Sequence, residues 1–144
     1  MVVRILSVLT ALTVLLSLNS CRKAEGEGGI ATIKGRVLVY RYNINTLVVQ
    51  DTILAHNEDV YLLYGLDHTA YDDDYKSSYD GSYAFRNLRP GDYRLFVYSD
   101  DTTGLYNQTM DRLKPKIPVF IDIHVGKHQQ EIIVPDLITF NNLF

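Results

Sequence analysis

The stretch Tyr79-Asp80-Gly81-Ser82-Tyr83-Ala84-Phe85-Arg86-Asn87-Leu88-Arg89-Pro90-Gly91-Asp92-Tyr93-Arg94-Leu95 decides the fold. Asp80-Gly81 is a turn pair, because glycine reaches positive φ without a Cβ clash. Tyr83 and Phe85 follow at a spacing of two and therefore share one face of a strand. Leu88 plugs the base of the next connection, and Pro90-Gly91 sets a second turn. Tyr93, Leu95 and Val97 then carry an apolar face along a second strand. Two strands, each with one face to hide, require further sheet to cover them.

The flanking sequence supplies it. From Thr32 to Tyr40, Ile33, Val37 and Val39 fall on one parity with Gly35, and Lys34, Arg36, Leu38 and Tyr40 on the other. Runs rich in β-branched and aromatic residues recur at Thr46–Leu54, Asp59–Leu66, Ser82–Phe85, Tyr93–Ser99, Ile117–His124 and Glu131–Val134, with a last one at Ile138–Phe140. Pro118 near the start of its run means that the strand begins there or lies at a sheet edge. No segment sustains a helical period, apart from one turn's worth at Asn107–Leu113. The expectation is an all-β chain, a seven- to eight-stranded antiparallel β-sandwich.

The quoted stretch also resembles the D-x-G-x-Y-x-F-x-x-L-x-P-G-x-Y-x-L signature of carboxypeptidase regulatory-like domains, a family similar to transthyretin-like and collagen-adhesin B-type modules. The resemblance covers about residues 30 to 136. It implies a transthyretin-like, Ig-like sandwich with no catalytic residues of its own. Adhesin members often join a lysine to an asparagine through an isopeptide bond. Lys34 and Asn141 or Asn142 are the matching residues, but Val97 stands where the promoting acid belongs, so no cross-link is expected.

Ahead of this domain, Arg4 precedes the apolar run Ile5–Leu18. As a helix that run reaches about 21 Å, short of the ~30 Å hydrocarbon core, which fits a cleaved signal better than a span. Leu18-Asn19-Ser20-Cys21 follows and resembles the bacterial lipobox, with the single cysteine of the chain as the residue to be acylated. Residues 1–20 are read as a lipoprotein signal peptide, 21–29 as lipidated Cys21 and a flexible glycine-bearing tether, and 30–144 as the sandwich. The acidic flecks Glu25 and Glu27 resemble the surface-export signal of Bacteroidetes lipoproteins. The expected address is the outer membrane or cell surface, with the lipid as the membrane partner and two or three acyl chains needed for a stable hold.

Composition excludes several functions. A net charge of −3 and no basic run beyond Arg22-Lys23 leave no nucleic-acid footprint. One cysteine excludes an internal disulfide and a cysteine zinc site. Asp72, Asp73 and Asp74, with Asp67 and His68 nearby, are the candidate calcium ligands, but their spacing lacks the alternation of a calcium loop, so no metal is expected. Asp100-Asp101 joins them only if both loops share one end of the sandwich. His124 and His128, beside Asp122, make half a zinc site, and His56 decorates a turn. No nucleophile motif is present, and neither enzyme activity nor a cofactor is expected.

Eleven tyrosines and no tryptophan are the compositional anomaly. Tyr83 and Tyr93, with Tyr61 or Tyr64, are assigned to the core. Tyr71, Tyr75 and Tyr79 are assigned to an exposed loop as candidate contacts for a glycan or protein ligand. The functional expectation is a non-enzymatic cell-envelope lipoprotein acting as a binding or structural module. Its alternatives are a carbohydrate-binding accessory of a glycan-capture system and a fimbrial or assembly subunit.

Overall fold

A computed structural model describes residues 24–43, 45–46, 48–102, 116–127 and 131–142. Their strands are β1 (Glu27–Tyr42), β2 (Val49–Leu54), β3 (Asp59–Tyr64), β4 (Asp73–Lys76), β5 (Ser82–Leu88), β6 (Gly91–Asp100), β7 (Lys116–Val125), β8 (Glu131–Ile133) and β9 (Leu137–Asn142). The 16-residue β1 is the spine of a five-stranded sheet in which every other strand pairs with it. On one edge β5 pairs with its first half and β2 with its second, both antiparallel. Val37 makes the handover: its N–H donates to the Gly81 carbonyl and its carbonyl accepts from Ala55 N–H. A Cβ on Gly81, which has φ +74°, would stand 2.6 Å from that carbonyl. This is the physical requirement behind the Asp-Gly pair.

The second sheet runs β4-β3-β6-β7, antiparallel throughout. Its inner parity, Val60, Leu62, Tyr93, Leu95, Val97, Ile123 and Val125, meets Ile33, Val37, Tyr83, Phe85 and Leu88 of the other sheet in one continuous buried cluster. This is the sandwich expected from the alternation, and β7 lies at a sheet edge as Pro118 requires.

Three expectations are corrected. β8 and β9 pair parallel to β1, Ile33 opposite Ile132 and Val39 opposite Thr139, so the sheet is mixed. Side-chain period reports the buried face and carries no information on strand direction. The described residues hold nine strands, and the one unforeseen is β4, whose four residues are mostly exposed and show no alternation. Finally, the tether does not extend to residue 29, because β1 begins at Glu27. Arg89 N–H donates to the Gly26 carbonyl at 2.8 Å, and Gly26 N–H donates to Tyr93 Oη at 3.0 Å. Backbone bonding orders this stretch without any large apolar side chain. Lys34 places its ammonium on Glu131 at 2.9 Å, and Asn141 stands opposite Arg41, well along β1 from Lys34.

Candidate functional site

The inner parity of β3, β6 and β7 fixes what their outer parity carries. Tyr61, Phe96 and Phe120 stand opposite one another in a row across the three strands. Tyr61 stacks on Phe96 with centroids 5.0 Å apart and planes 22° apart. Tyr98 meets Phe96 edge-on at 5.5 Å, and Phe120 tilts against it at 5.6 Å. Tyr71, from the β3–β4 connection, closes on Tyr61 at 4.7 Å. Enclosed by its neighbours, Phe96 is only 8% exposed although it lies on the outer face. Tyr71, Tyr98 and Phe120 remain 53%, 42% and 52% exposed and form the contact surface. At about 4.8 Å per strand, the row from β3 to β7 spans roughly 10 Å.

Charges border the rings in closed pairs. The Arg94 guanidinium lies 5.3 Å from the Phe120 ring centroid. Its Nε and Nη2 donate to the two Asp122 carboxylate oxygens at 2.6 and 2.8 Å, and its Nη1 donates to the Leu66 carbonyl at 3.3 Å. That fork holds the Asp122 carboxyl below its ordinary range, the hydrogen bonds from Arg94 being the main cause. Lys76 pairs with Asp59 at 2.5 Å, and His124 Nδ1 lies 2.7 Å from Asp92. Partial burial raises the Tyr61 phenol, with Asp59 and the neighbouring phenols adding to it, so its hydroxyl stays protonated at neutral pH.

The three tyrosines singled out from the sequence do not converge. Tyr71 joins the outer-face cluster. Tyr75 lies on β4 at inner parity, opposite Val60, with its ring edge-on to Phe85 at 6.1 Å. Tyr79 sits in the β4–β5 turn, 82% exposed and, among the described residues, without a ring contact. The core assignments of Tyr83 and Tyr93 hold, at 2% and 0% exposure. Tyr61 serves the outer face, and Tyr64 packs edge-on to Tyr93 at 5.8 Å, its phenol pushed up to about 12 mainly by burial.

The acidic cluster is likewise divided. Asp72 Oδ2 accepts from Tyr64 N–H at 2.7 Å and lies 3.2 Å from His68 Nδ1, which closes the β3–β4 loop. Asp73 and Asp74 belong to β4 rather than to a loop. Asp100 ends β6 and pairs with Lys116 at 2.7 Å, at the opposite end of the sandwich from that loop. Among the described residues no three histidine, cysteine or acidic side chains gather as metal ligands. Cys21 and His128 lie outside the described residues.

Phe96, Tyr98, Phe120 and Arg94 are the site residues that sequence reading missed. The signal was present: once Tyr93, Leu95 and Val97 point inward, Arg94, Phe96 and Tyr98 must point outward, and two large rings on a solvent face are unusual.

A second concavity, of about 590 Å³, opens at the end where β5 turns into β6. Ala24, Glu25, Arg89, Asp92, His124 and Lys127 line it. Arg89 Nε is buried there and, among the described residues, has no hydrogen-bond partner.

No family model matches the chain, and no curated protein does. Among solved structures, it is similar to a Pseudomonas aeruginosa protein provisionally described as carbohydrate binding, at 12% identity and a TM-score of 0.48. The match covers 78% of this chain and 92% of that one.

Proposed function

We propose that this protein is a non-enzymatic, lipid-anchored module of the bacterial envelope whose aromatic outer sheet face binds a neutral oligosaccharide. The observation that carries the reading is the ring cluster itself. Three half-exposed aromatics are braced by the Tyr61–Phe96 stack and bordered by phenol hydroxyls and carboxylates. Aromatic faces take the C–H faces of sugar rings, while hydroxyls and carboxylates at the rim take sugar hydroxyls. A width of roughly 10 Å is more than one sugar ring needs and suits several. Arg94 and Lys76 are already paired with carboxylates, so an anionic glycan gains no free cation from them and meets Asp59, Asp74 and Asp122. The lipobox-like stretch ending at Cys21 supports the anchor, and the resemblance of residues 79–95 to a non-catalytic domain supports the lack of enzyme chemistry.

A glycan array probed with the protein tests the binding role. Phe120→Ala and Tyr98→Ala are expected to reduce retention of neutral oligosaccharides at least tenfold, and Tyr79→Ala is expected to leave it unchanged. Equal retention by all three variants, or retention of anionic glycans alone, overturns the reading. Metabolic labelling with a palmitate analogue tests the anchor, which falls if residue 21 stays unlabelled.

A further inference from the structure

The cleft beside β1 takes no part in the aromatic face. Two cations line it, Arg89 and Lys127, and among the described residues neither has an ion-pair partner. Arg89 is poorly satisfied: one Nη1 bond of 3.4 Å to the Ala24 carbonyl, and a buried Nε with no acceptor among the described residues. Of the two carboxylates in the lining, Asp92 is turned to His124 and Glu25 remains. The position of the cleft is fixed by covalent arithmetic. Ala24 lines it, and Cys21 is three residues upstream, at most about 11 Å along an extended chain. The tether is this short because Tyr93 and Arg89 hold Gly26 to the sandwich. The intervening residues in the sequence are Arg22 and Lys23, both basic.

Resting on the lipid-anchor part of the reading above, we infer that this cleft is a headgroup site. In the acylated protein it faces the bilayer at headgroup depth, and Arg89 and Lys127 engage the phosphate of an anionic phospholipid. A phosphate oxygen gives the Arg89 guanidinium a charged acceptor in place of its long 3.4 Å bond to the Ala24 carbonyl, in the planar geometry that guanidinium favours. The site fixes which end of the sandwich meets the membrane and leaves the aromatic face on the side wall, open to ligand.

The test separates the headgroup site from the anchor. The buried cluster runs from Ala31 to Leu137, so a chain starting at residue 21 and carrying Cys21→Ser keeps every core residue without any lipid. Its co-sedimentation is measured with phosphatidylcholine vesicles and with vesicles containing phosphatidylglycerol, at low and moderate salt. The expected result is several-fold stronger partition onto the anionic vesicles, weakened by salt. A loss of about fivefold is expected in Lys127→Ala, and in Arg89→Ala, with Arg89→Lys retaining more than Arg89→Ala. Lys127 is exposed, so its variant folds whatever becomes of Arg89. Equal partition onto both vesicle types overturns the inference, as does unchanged partition of Lys127→Ala. Chemical-shift changes at Arg89 with free glycerol phosphate, without preference for anionic vesicles, overturn it in favour of a soluble phosphate ligand. An unlabelled Cys21 in cells together with anionic-vesicle preference here sinks the anchor and keeps the site. The reverse pair of results does the opposite.

Discussion

The two sheets contribute their inner faces to one buried cluster and differ most on the outside. Over its first half, the five-stranded sheet presents Lys34 paired with Glu131 and Arg36 paired with Asp136, long side chains that cross between strands. The four-stranded sheet presents rings, with Phe96 buried under Tyr61, Tyr98 and Phe120. Folding alone requires only that one face of each sheet be hidden, and the five-stranded sheet meets that with ion pairs over its first half and an edge-on ring pair, Tyr40 against Phe140 at 5.7 Å, further along. The larger cluster on the other face, half-exposed at Tyr71, Tyr98 and Phe120, is what the proposed ligand contact rests on. The buried tyrosines differ as well: the Tyr93 hydroxyl is met by Gly26 and Arg89, at the ends of β1 and β5, whereas the Tyr83 hydroxyl has no partner among the described residues.

The hardest test of this contrast is Phe96→Ala. Removing the central ring of a residue this buried should cost about 3 kcal/mol or more of stability in urea denaturation, because Tyr61, Tyr98 and Phe120 lose their common neighbour. Glycan retention should fall with it. Thr32→Ala, at the outer parity of β1 opposite Glu131, should change the stability measured in urea by less than about 0.5 kcal/mol. If Phe96→Ala is as mild as Thr32→Ala, the two faces are equivalent and the ring cluster is not a built feature.

Next in size is Tyr93→Phe. The Tyr93 hydroxyl donates to the Arg89 carbonyl at 2.7 Å and accepts from Gly26 N–H at 3.0 Å. Its loss leaves a buried amide without an acceptor, worth about 1–3 kcal/mol. Hydrogen exchange at Gly26 should quicken more than exchange at Leu62, in the middle of β3, since the loss releases the start of β1. Retention on the glycan array should be unchanged, because the ring of Tyr93 faces inward and away from Phe96.

Much of this architecture was legible. The alternation in Tyr79–Leu95 gives β5, β6 and the turn at Gly81, and the apolar parity of residues 33 to 39 gives the buried face of β1. The direction of β8 and β9 was not, because parallel and antiparallel pairing bury the same side chains. β4 escaped because Asp73-Asp74-Tyr75-Lys76 lies at an edge where one side chain faces inward and the rest meet water. The order of Gly26 was hidden because it rests on bonds from its own backbone to the Arg89 amide and the Tyr93 hydroxyl, 63 and 67 positions away, which the local composition does not show. At the candidate site, the count of tyrosines pointed to an aromatic surface, but of the three residues named only Tyr71 lies in the ring cluster. Tyr71 was found in sequence, but Phe96 and Phe120 reach it only through cross-strand register.

A smaller effect of opposite sign is expected from Tyr83→Phe. Burial pushes the Tyr83 phenol far up, and among the described residues its hydroxyl has no hydrogen-bond partner. It lies over Gly35, where a Cβ would come within 2.5 Å of the oxygen, so the glycine makes room for the ring and offers the hydroxyl nothing. Removing an unpaired buried hydroxyl should raise stability by up to about 1 kcal/mol, seen as a higher urea midpoint with an unchanged slope. A loss comparable to that of Tyr93→Phe would mean that the two buried tyrosines are held alike.

The finest comparison sets two forks of the same chemistry against each other. Arg36 grips Asp136 with contacts of 3.2 and 2.9 Å on the ion-paired face, and Arg94 grips Asp122 with contacts of 2.6 and 2.8 Å beside Phe120. Both are largely solvated, so a double-mutant cycle should give each a coupling of no more than about 1 kcal/mol. Since Arg94 holds the folded-state carboxyl of Asp122 below the unfolded value near 3.8, that fork is fully present above this value and is lost as pH falls through the depressed one. The Asp122 carboxyl should therefore titrate below 3.8 by NMR, and Arg94→Ala should move its midpoint upward. Function should separate the forks where stability does not. Arg94→Ala frees Phe120 from its cation and leaves Asp122 unpaired at the edge of the rings, so glycan retention should change severalfold. Arg36→Ala should leave it where it was. Equal effects on retention would show that the fork beside Phe120 serves the sheet alone.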